Sequence, residues 1–414
     1  MYRRRRLFAV LAVLVSLGLV AVVIGAGVVM HLNGNIRTVA IPKGLVGTET
    51  QNAQGNAPIN VLVMGSDTRG SAADCKIGGD CSLSTSKATG KAATSLPANA
   101  DVEMLIHVSA DRTNASIISI PRDTEVQLPA CTDPATGKTV AAHRDRINSS
   151  LQYGPACTLK AVHQLTGVTL DHFAVIDFAG VITMSDAIGG VPVCVDNNVY
   201  DTYSHLKLAQ GSHTLKGKSA LAFLRTRHGF GDGSDIGRTV GQHLFLSSML
   251  RKLESASTLA NPVRLYSLAN AATKAVTVDT GLGDIGKLTG LASQLNKIPG
   301  KRITFTTLPT IPDPRNPNVV VEASNAQALL TKIKDDVSLS SAAKPATPSP
   351  KASTRPPAKG TGGTGSTGKD YSTTAATAVG CAQVSQARTV EINGVAMTPT
   401  QAFAASPKVP VSAP

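Results

Sequence analysis

Carboxylates and arginines gather at the ends of apolar segments in this 414-residue chain, and their spacing suggests chemistry on a phosphate. The apolar stretch Asn60–Met64 runs into Gly65-Ser66-Asp67. A strand ending this way presents Asp67 at the carboxyl edge of a sheet, where α/β folds place ligand-binding residues. Two further strands, Val102–Ser109 and Ala115–Ile120, flank a turn at Asp111–Asn114. If Ser109 lies opposite Ala115, the antiparallel register sets Asp101 opposite Asp123 and next to Arg122. Ala220–Arg227 reads as a strand, so Arg225 and Arg227 at its end point to one face. Asp235, Arg238 and Gln242 then follow at i, i+3 and i+7, one stripe of an amphipathic helix expected over Asp235–Leu253.

Few carboxylates with little else suit Mg²⁺, a hard cation that usually also takes phosphate oxygens. Arginine binds phosphate through paired N–H donors and keeps its charge. The expected cluster is therefore a metal-assisted site for a diphosphate. Spacing alone leaves a plainer alternative open, that these are surface ion pairs worth about 0–1 kcal/mol each. His205, His213, His228 and His243 fall in separate elements without zinc-ligand spacing, so they read as solvated or core histidines.

Several elements must position these groups. Thr158–Gly167, His172–Asp177, Phe178–Ile188 and Val191–Val195 alternate between helical and strand-like patterns, and Arg302–Leu308 is a late strand. Such a mixture suggests an α/β sandwich around a central sheet. With aromatics at 3% and no Trp, the core must be built from Val, Ile, Leu and Ala.

The termini read differently. Arg3-Arg4-Arg5-Arg6 precedes an uncharged apolar run from Leu7 to Met30. That run meets the roughly 20 residues a membrane-spanning helix needs, and the arginines place residues 1–6 in the cytoplasm. A single-pass membrane anchor over 7–30 is expected, with a cleaved signal as the alternative. A DNA-binding arm is disfavoured by the adjoining span, and no nucleic-acid partner is expected. Residues 31–57 read as a stalk, 58–337 as the body, 338–370 as a Pro/Gly/Ser/Thr-rich linker too polar to fold, and 371–414 as a tail in which VEINGVAM suggests a hairpin. The body should lie outside the cytoplasm, where six cysteines can form disulfides. Cys75 with Cys81 and Cys131 with Cys157 are plausible pairs among 15 possible connectivities, leaving Cys194 and Cys381. A net charge of +13 implies an acidic partner, with nucleic acid, anionic lipid and phosphorylated substrate not separated by composition.

The motifs NVLVMGSDTRG (60–70), SIPRDTEV (119–126), RINSSLQYG (146–154), LTGVTLDHFAVIDFAG (165–180), GSHTLKGKSALAFLRTRH (211–228) and GSDIGRTVGQ (233–242) resemble, in order, those of the LytR–CpsA–Psr family. The resemblance implies a three-layer α/β/α sandwich around a central mixed β-sheet, binding a polyprenyl (pyro)phosphate whose chain enters a hydrophobic pocket. It implies that Asp67 and Asp101 hold Mg²⁺, that Arg122, Arg225, Arg227 and Arg238 bind the phosphates, and that Gln242 contacts them. Asp123 and Asp235 would orient the arginines or assist proton removal. The implied reaction is transfer of a polyprenyl-diphosphate-linked glycopolymer to peptidoglycan. The alternatives are a lipid-diphosphate hydrolase and a non-catalytic lipid-phosphate-binding protein. The chain departs from the family at Asn99-Ala100-Asp101-Val102, where Arg-Ser-Asp-Thr is usual, and at Gly241, often Arg. Its Thr68–Asn99 insertion is also longer than usual.

Overall fold

Runs of Val, Leu, Ile and Met build a central sheet because both of its faces are covered. In the computed structural model, which describes residues 22–41, 51–52, 54–66, 99–132, 137–255, 261–340 and 373–413, its strands are β1 (Arg37–Val39), β2 (Ile59–Ser66), β3 (Ala100–Val108), β4 (Ala115–Ile120), β5 (His172–Asp177), β6 (Val276–Asp279), β7 (Ile303–Thr307) and β8 (Thr373–Ala375). Their order is β1-β6-β5-β2-β3-β4-β7-β8. The pairs β1–β6, β5–β2 and β4–β7 are parallel and the rest antiparallel, so the sheet is mixed.

The helices are α1 (22–35), α2 (Pro155–Thr166), α3 (Phe178–Ala187), α4 (Gly217–Arg225), α5 (Asp235–Glu254), α6 (Pro262–Ala275), α7 (Ile285–Asn296), α8 (Ala326–Lys334) and α9 (Pro399–Ala405). Leu159 and Val162 of α2 and Leu329 and Leu330 of α8 pack with Leu62, Leu105, Ile118 and Phe173 in one core layer. Met104, Ile117 and Phe305 form a second layer with Leu246 and Leu250 of α5 and Leu295 of α7.

Two local expectations change. Residues 217–225 form α4, not a strand: Ala220, Leu221 and Phe223 supply a buried helical face in a run too short for periodicity to decide. The β3–β4 register is also one residue away from the expected one. Val108 pairs with Ala115 and Glu103 with Ile120, which continues to bring Asp101 level with Arg122 rather than Asp123. The connection closes where the Ser109 N–H donates to the Asn114 carbonyl at 3.1 Å.

The ends of the chain join the body. β1 comes from the segment read as a stalk, and β8 from the segment read as a tail. A disulfide ties Cys194 to Cys381, and Cys131 is bonded to Cys157 as expected. The 390–397 hairpin forms with Asn393 and Gly394 both at positive φ, the backbone that an Asn-Gly turn favours. Cys75, Cys81, Asp67, nearly all of the 68–99 insertion and most of the expected membrane span lie outside the described residues. Among the described residues, no helix is long and apolar enough to cross a membrane.

Candidate active site

The site assembles where β2 ends and β3 begins. Gly65 pairs with Val102 but Ser66 pairs with Ala100, which leaves Asp101 as a bulged residue. A bulge re-aims a side chain, and Asp101 accepts a short hydrogen bond from Arg122 Nη1. Arg122 follows β4 through Pro121, and its Nε lies 3.4 Å from Asp235 and 3.7 Å from Asp123. Burial acts to lower the pKa of this guanidinium, but the carboxylates of Asp101, Asp235 and Asp123 outweigh it and hold the value above the ordinary one.

α5 brings the second arginine. Ser234 caps it by accepting from the Ile236 N–H at 3.1 Å, which sets Asp235 in the first turn. One turn on, Arg238 Nη2 lies 2.7 Å from Asp235 and donates to the Asp101 carbonyl at 2.8 Å. Only 6% of Arg238 is exposed, and burial lowers its pKa despite Asp235. Gln242 Nε2 donates to the Leu224 carbonyl at 3.2 Å, locking α5 to the end of α4. Arg225 ends α4 and stacks over the Phe178 ring, its Cζ 4.9 Å from the centroid. Beyond the extended Thr226, Arg227 reaches to 3.9 Å from Asp123. The two arginines thus converge through a helix end and a turn, not through strand alternation.

These groups rim a cavity of about 330 Å³. Its wall is apolar: Val63, Val102 and Ile176 from the sheet, Val181 and Met184 from α3, Leu221 and Leu224 from α4, Phe245 and Met249 from α5. Asp101, Arg122, Arg225, Arg227, Arg238 and Gln242 also line it. Several buried polar atoms here have no hydrogen-bond partner: Nε of Arg122, Arg227 and Arg238 and both carboxylate oxygens of Asp235, whose ion pairs lack hydrogen-bond geometry. Buried polar atoms left unpaired in a native fold call for an explanation, and a bound ligand supplies one. For a metal, Asp101 offers hard oxygen donors. Its expected partner Asp67 follows Ser66 in the chain, outside the described residues.

Spacing missed other members. Arg146 Nε stands 3.6 Å from Asp123, although RINSSLQYG contains it. Phe178 carries Arg225, and Tyr203 stacks on His228 at the rim with 4.4 Å between centroids. A second stripe on α5, Phe245 and Met249, was the available signal for the apolar wall. The two departures have local accounts. Asn99 Oδ1 accepts from Gln152 Nε2 at 2.8 Å. A Cβ at Gly241 would stand 3.0 Å from the Phe230 ring, so that ring occupies the room a longer side chain needs. His243 is a core histidine, 6% exposed, and His213 is buried.

A model of the LytR_cpsA_psr family matches residues 28–337. The chain belongs to the LytR_cpsA_psr family. The cell wall biosynthesis protein LcpA of Corynebacterium glutamicum is 31% identical over 279 residues, 64% of this chain and 52% of that protein. A Bacillus mycoides polyisoprenyl-teichoic acid–peptidoglycan teichoic acid transferase, TagU, is 25% identical over 52% of this chain and 59% of its own length. The chain thus spans little more than half of these relatives. A LytR-Csp2A-Psr enzyme from Actinomyces oris shares the fold, with a TM-score of 0.54 and 24% identity over 72% of this chain and 96% of that one. Within the LytR_cpsA_psr match lie Asp101, Arg122, Asp123, Arg225, Arg227, Asp235, Arg238 and Gln242; the docked segment 373–413 lies beyond it.

Proposed function

We propose that the chain transfers a polyprenyl-diphosphate-linked glycopolymer to a peptidoglycan hydroxyl. The observation that carries this reading is the apolar cavity with four arginines at its rim. An isoprenoid chain favours the apolar wall because burial removes its surface from water. The diphosphate then meets Arg122, Arg225, Arg227 and Arg238, and the buried Nε–H groups of Arg122, Arg227 and Arg238 would gain acceptors. The name of TagU, a polyisoprenyl-teichoic acid–peptidoglycan teichoic acid transferase, supports the same chemistry, and that of LcpA supports a place in cell wall biosynthesis.

In this reaction the acceptor oxygen attacks the sugar-bearing phosphorus, and the bond from that phosphorus to the lipid phosphate breaks. Polyprenyl phosphate leaves, and the hydroxyl proton passes to a carboxylate, Asp123 or Asp235. The arginines spread the charge that grows on the leaving phosphate, and the bulge at Asp101 fixes Arg122 before substrate arrives. Asp101 with Asp67 would hold Mg²⁺, which when bound neutralises diphosphate charge. We further propose that residues 7–30 anchor the chain in the membrane with the body outside the cytoplasm, at the surface where such a lipid resides.

The test is glycan transfer from the lipid diphosphate to a peptidoglycan fragment by the full chain in vesicles. Arg227→Ala should lose a charge-assisted hydrogen bond of roughly 1.5–3 kcal/mol, about 10- to 150-fold in rate or lipid affinity. Asp67→Ala should abolish Mg²⁺ dependence. Normal turnover in both variants refutes the site, and phosphate release without acceptor at the transfer rate favours the hydrolase.

A further inference from the structure

Two helix ends project from the body side by side. β1 and β6 pair in parallel, Arg37 with Thr277, Thr38 with Val278 and Val39 with Asp279. Each strand is preceded by a helix, α1 ending at residue 35 and α6 at Ala275, each two residues before the paired Arg37 and Thr277. Cross-links agree with that alignment: Asn35 Nδ2 donates to Thr273 Oγ1 at 3.2 Å, and His31 Nε2 stands 3.2 Å from Asn270 Oδ1. With the same rise per residue in both helices, Val23 is level with Val263 and Ala26 with Tyr266.

At that level both helices are exposed. Residues 22–27 and 262–267 are all exposed, whereas Leu32, Thr273 and Ala275 are buried. The exposed ends are nonetheless apolar: Val22, Val23 and Ile24 on α1, Val263, Leu265 and Tyr266 on α6. Val263 is 75% exposed and Val23 70%. Water is a poor surrounding for such a surface. The occupant is indicated by continuity, because these residues of α1 belong to the uncharged run that reaches back to Leu7.

We propose that the first turns of α6 form a membrane-docking site that enters the outer lipid surface beside α1. The proposal rests on the reading of residues 7–30 as a membrane anchor. Tyr266 lies four residues, about 6 Å, below the level of Met30, a depth at which an interfacial helix buries its apolar face. Tyrosine suits that boundary, and the flexible stem of Arg264 lets its charge reach lipid phosphates. Docking also has a route to the active site. α6 packs along α3 so closely that a Cβ on Gly180 would stand 2.5 Å from the Ala275 Cβ. α3 in turn supplies Phe178, Val181 and Met184 to the cavity. Two lipid-held helices thus fix the orientation of the cavity wall relative to the membrane.

The absence of tryptophan in the chain makes a direct test possible. Full-length Val263→Trp, Tyr266→Trp, Val23→Trp and Val395→Trp are each reconstituted in vesicles of phosphatidylglycerol and phosphatidylcholine, with and without bromine on the acyl chains. Val395, in the 390–397 hairpin, is 59% exposed and serves as the solvent reference. The expected result is a blue-shifted emission, quenched by bromolipid, at 263 and 266 as at 23, with no quenching at 395. Quenching at 23 but not at 263 or 266 overturns the docking site and leaves the anchor standing. Failure of the chain to float with the vesicles overturns both. A blue shift at 263 and 266 without quenching identifies a protein neighbour on this face and overturns the assignment to lipid.

Discussion

Arg122 balances three carboxylates, and its neighbours differ in how much they depend on it. Asp123 also has Arg146 and Arg227 within 4 Å, and Asp235 has Arg238 at 2.7 Å, whereas Asp101 is held by Arg122 itself. Arg122→Ala should therefore cost both turnover and folded stability, roughly 3–5 kcal/mol for breaking a largely buried ion pair. Arg227→Ala, at a more exposed position, should cost turnover with little change in melting temperature. Equal melting losses in the two variants would mean that the arginines act together as structural counter-ions. His243 supplies a pH-dependent contrast away from the phosphate site. Its Nε2 is 2.7 Å from Ser119 Oγ and its ring lies 5.2 Å from that of Phe305, and burial pushes its pKa down to about 4. An unfolded histidine titrates near 6.5, so below that pH the unfolded chain takes up a proton that the fold resists. The resulting stability is fully present above about 6.5 and is lost as pH falls through 4, a change of roughly 3 kcal/mol. Melting curves across that window should be steeper in pH for the wild type than for His243→Phe; identical slopes would refute the buried neutral imidazole.

At the scale of elements, the segment after the linker holds the loop between the two arginine-bearing helices. The Ser385 N–H donates to the Gly229 carbonyl and the Gly231 N–H to the Gln383 carbonyl, both at 2.9 Å, and Thr389 Oγ1 donates to the His228 carbonyl at 2.6 Å. Cys194–Cys381 fixes the start of this clamp. Cys381→Ser should weaken lipid-substrate binding more than acceptor binding, because the loop separates Arg227 from Asp235. A disulfide is worth about 2–4 kcal/mol, so melting should fall by several degrees. An unchanged lipid KM with a lowered melting point would make the clamp purely structural. Such long-range pieces were the least legible in the sequence. Ala115–Ile120 was read with its observed ends, and the Asp235/Arg238/Gln242 stripe placed all three on α5, because strand and helix periods are local. α4 was misread because nine residues with Ala, Leu and Phe satisfy either period. The β3–β4 register was missed by one because it depends on a turn whose closing bond is not encoded by residue type. Cys194 with Cys381 had no local signal, being 187 residues apart. Asp101 beside Arg122 and Asp235 beside Arg238 were foreseen from local register and helix spacing, whereas the apolar wall and Arg146 emerge only when α3, α4 and α5 are packed.

Across the whole molecule, both margins of the sheet are closed by three-residue strands from opposite ends of the chain, β1 and β8. Short edge strands offer few free backbone groups to another molecule. Beneath β8 lies β7, Ile-Thr-Phe-Thr-Thr, a β-branched strand well suited to intermolecular pairing. Truncation after residue 372 should therefore bare β7 and produce concentration-dependent self-association, measurable by light scattering, beyond what loss of the disulfide alone causes in Cys381→Ser. A monodisperse truncated protein would show that β8 is dispensable as an edge guard. The same arrangement sets a sequence in time. A chain made from its N-terminus acquires β7 before residues 373–375 exist, and Cys157 is available to Cys131 long before Cys381 is available to Cys194. The newborn protein must therefore pass an interval with an open sheet margin and with Cys194 still lacking Cys381. During that interval a helper that shields strands or guards thiols has a defined target, and the later emergence of residues 373–381 closes both.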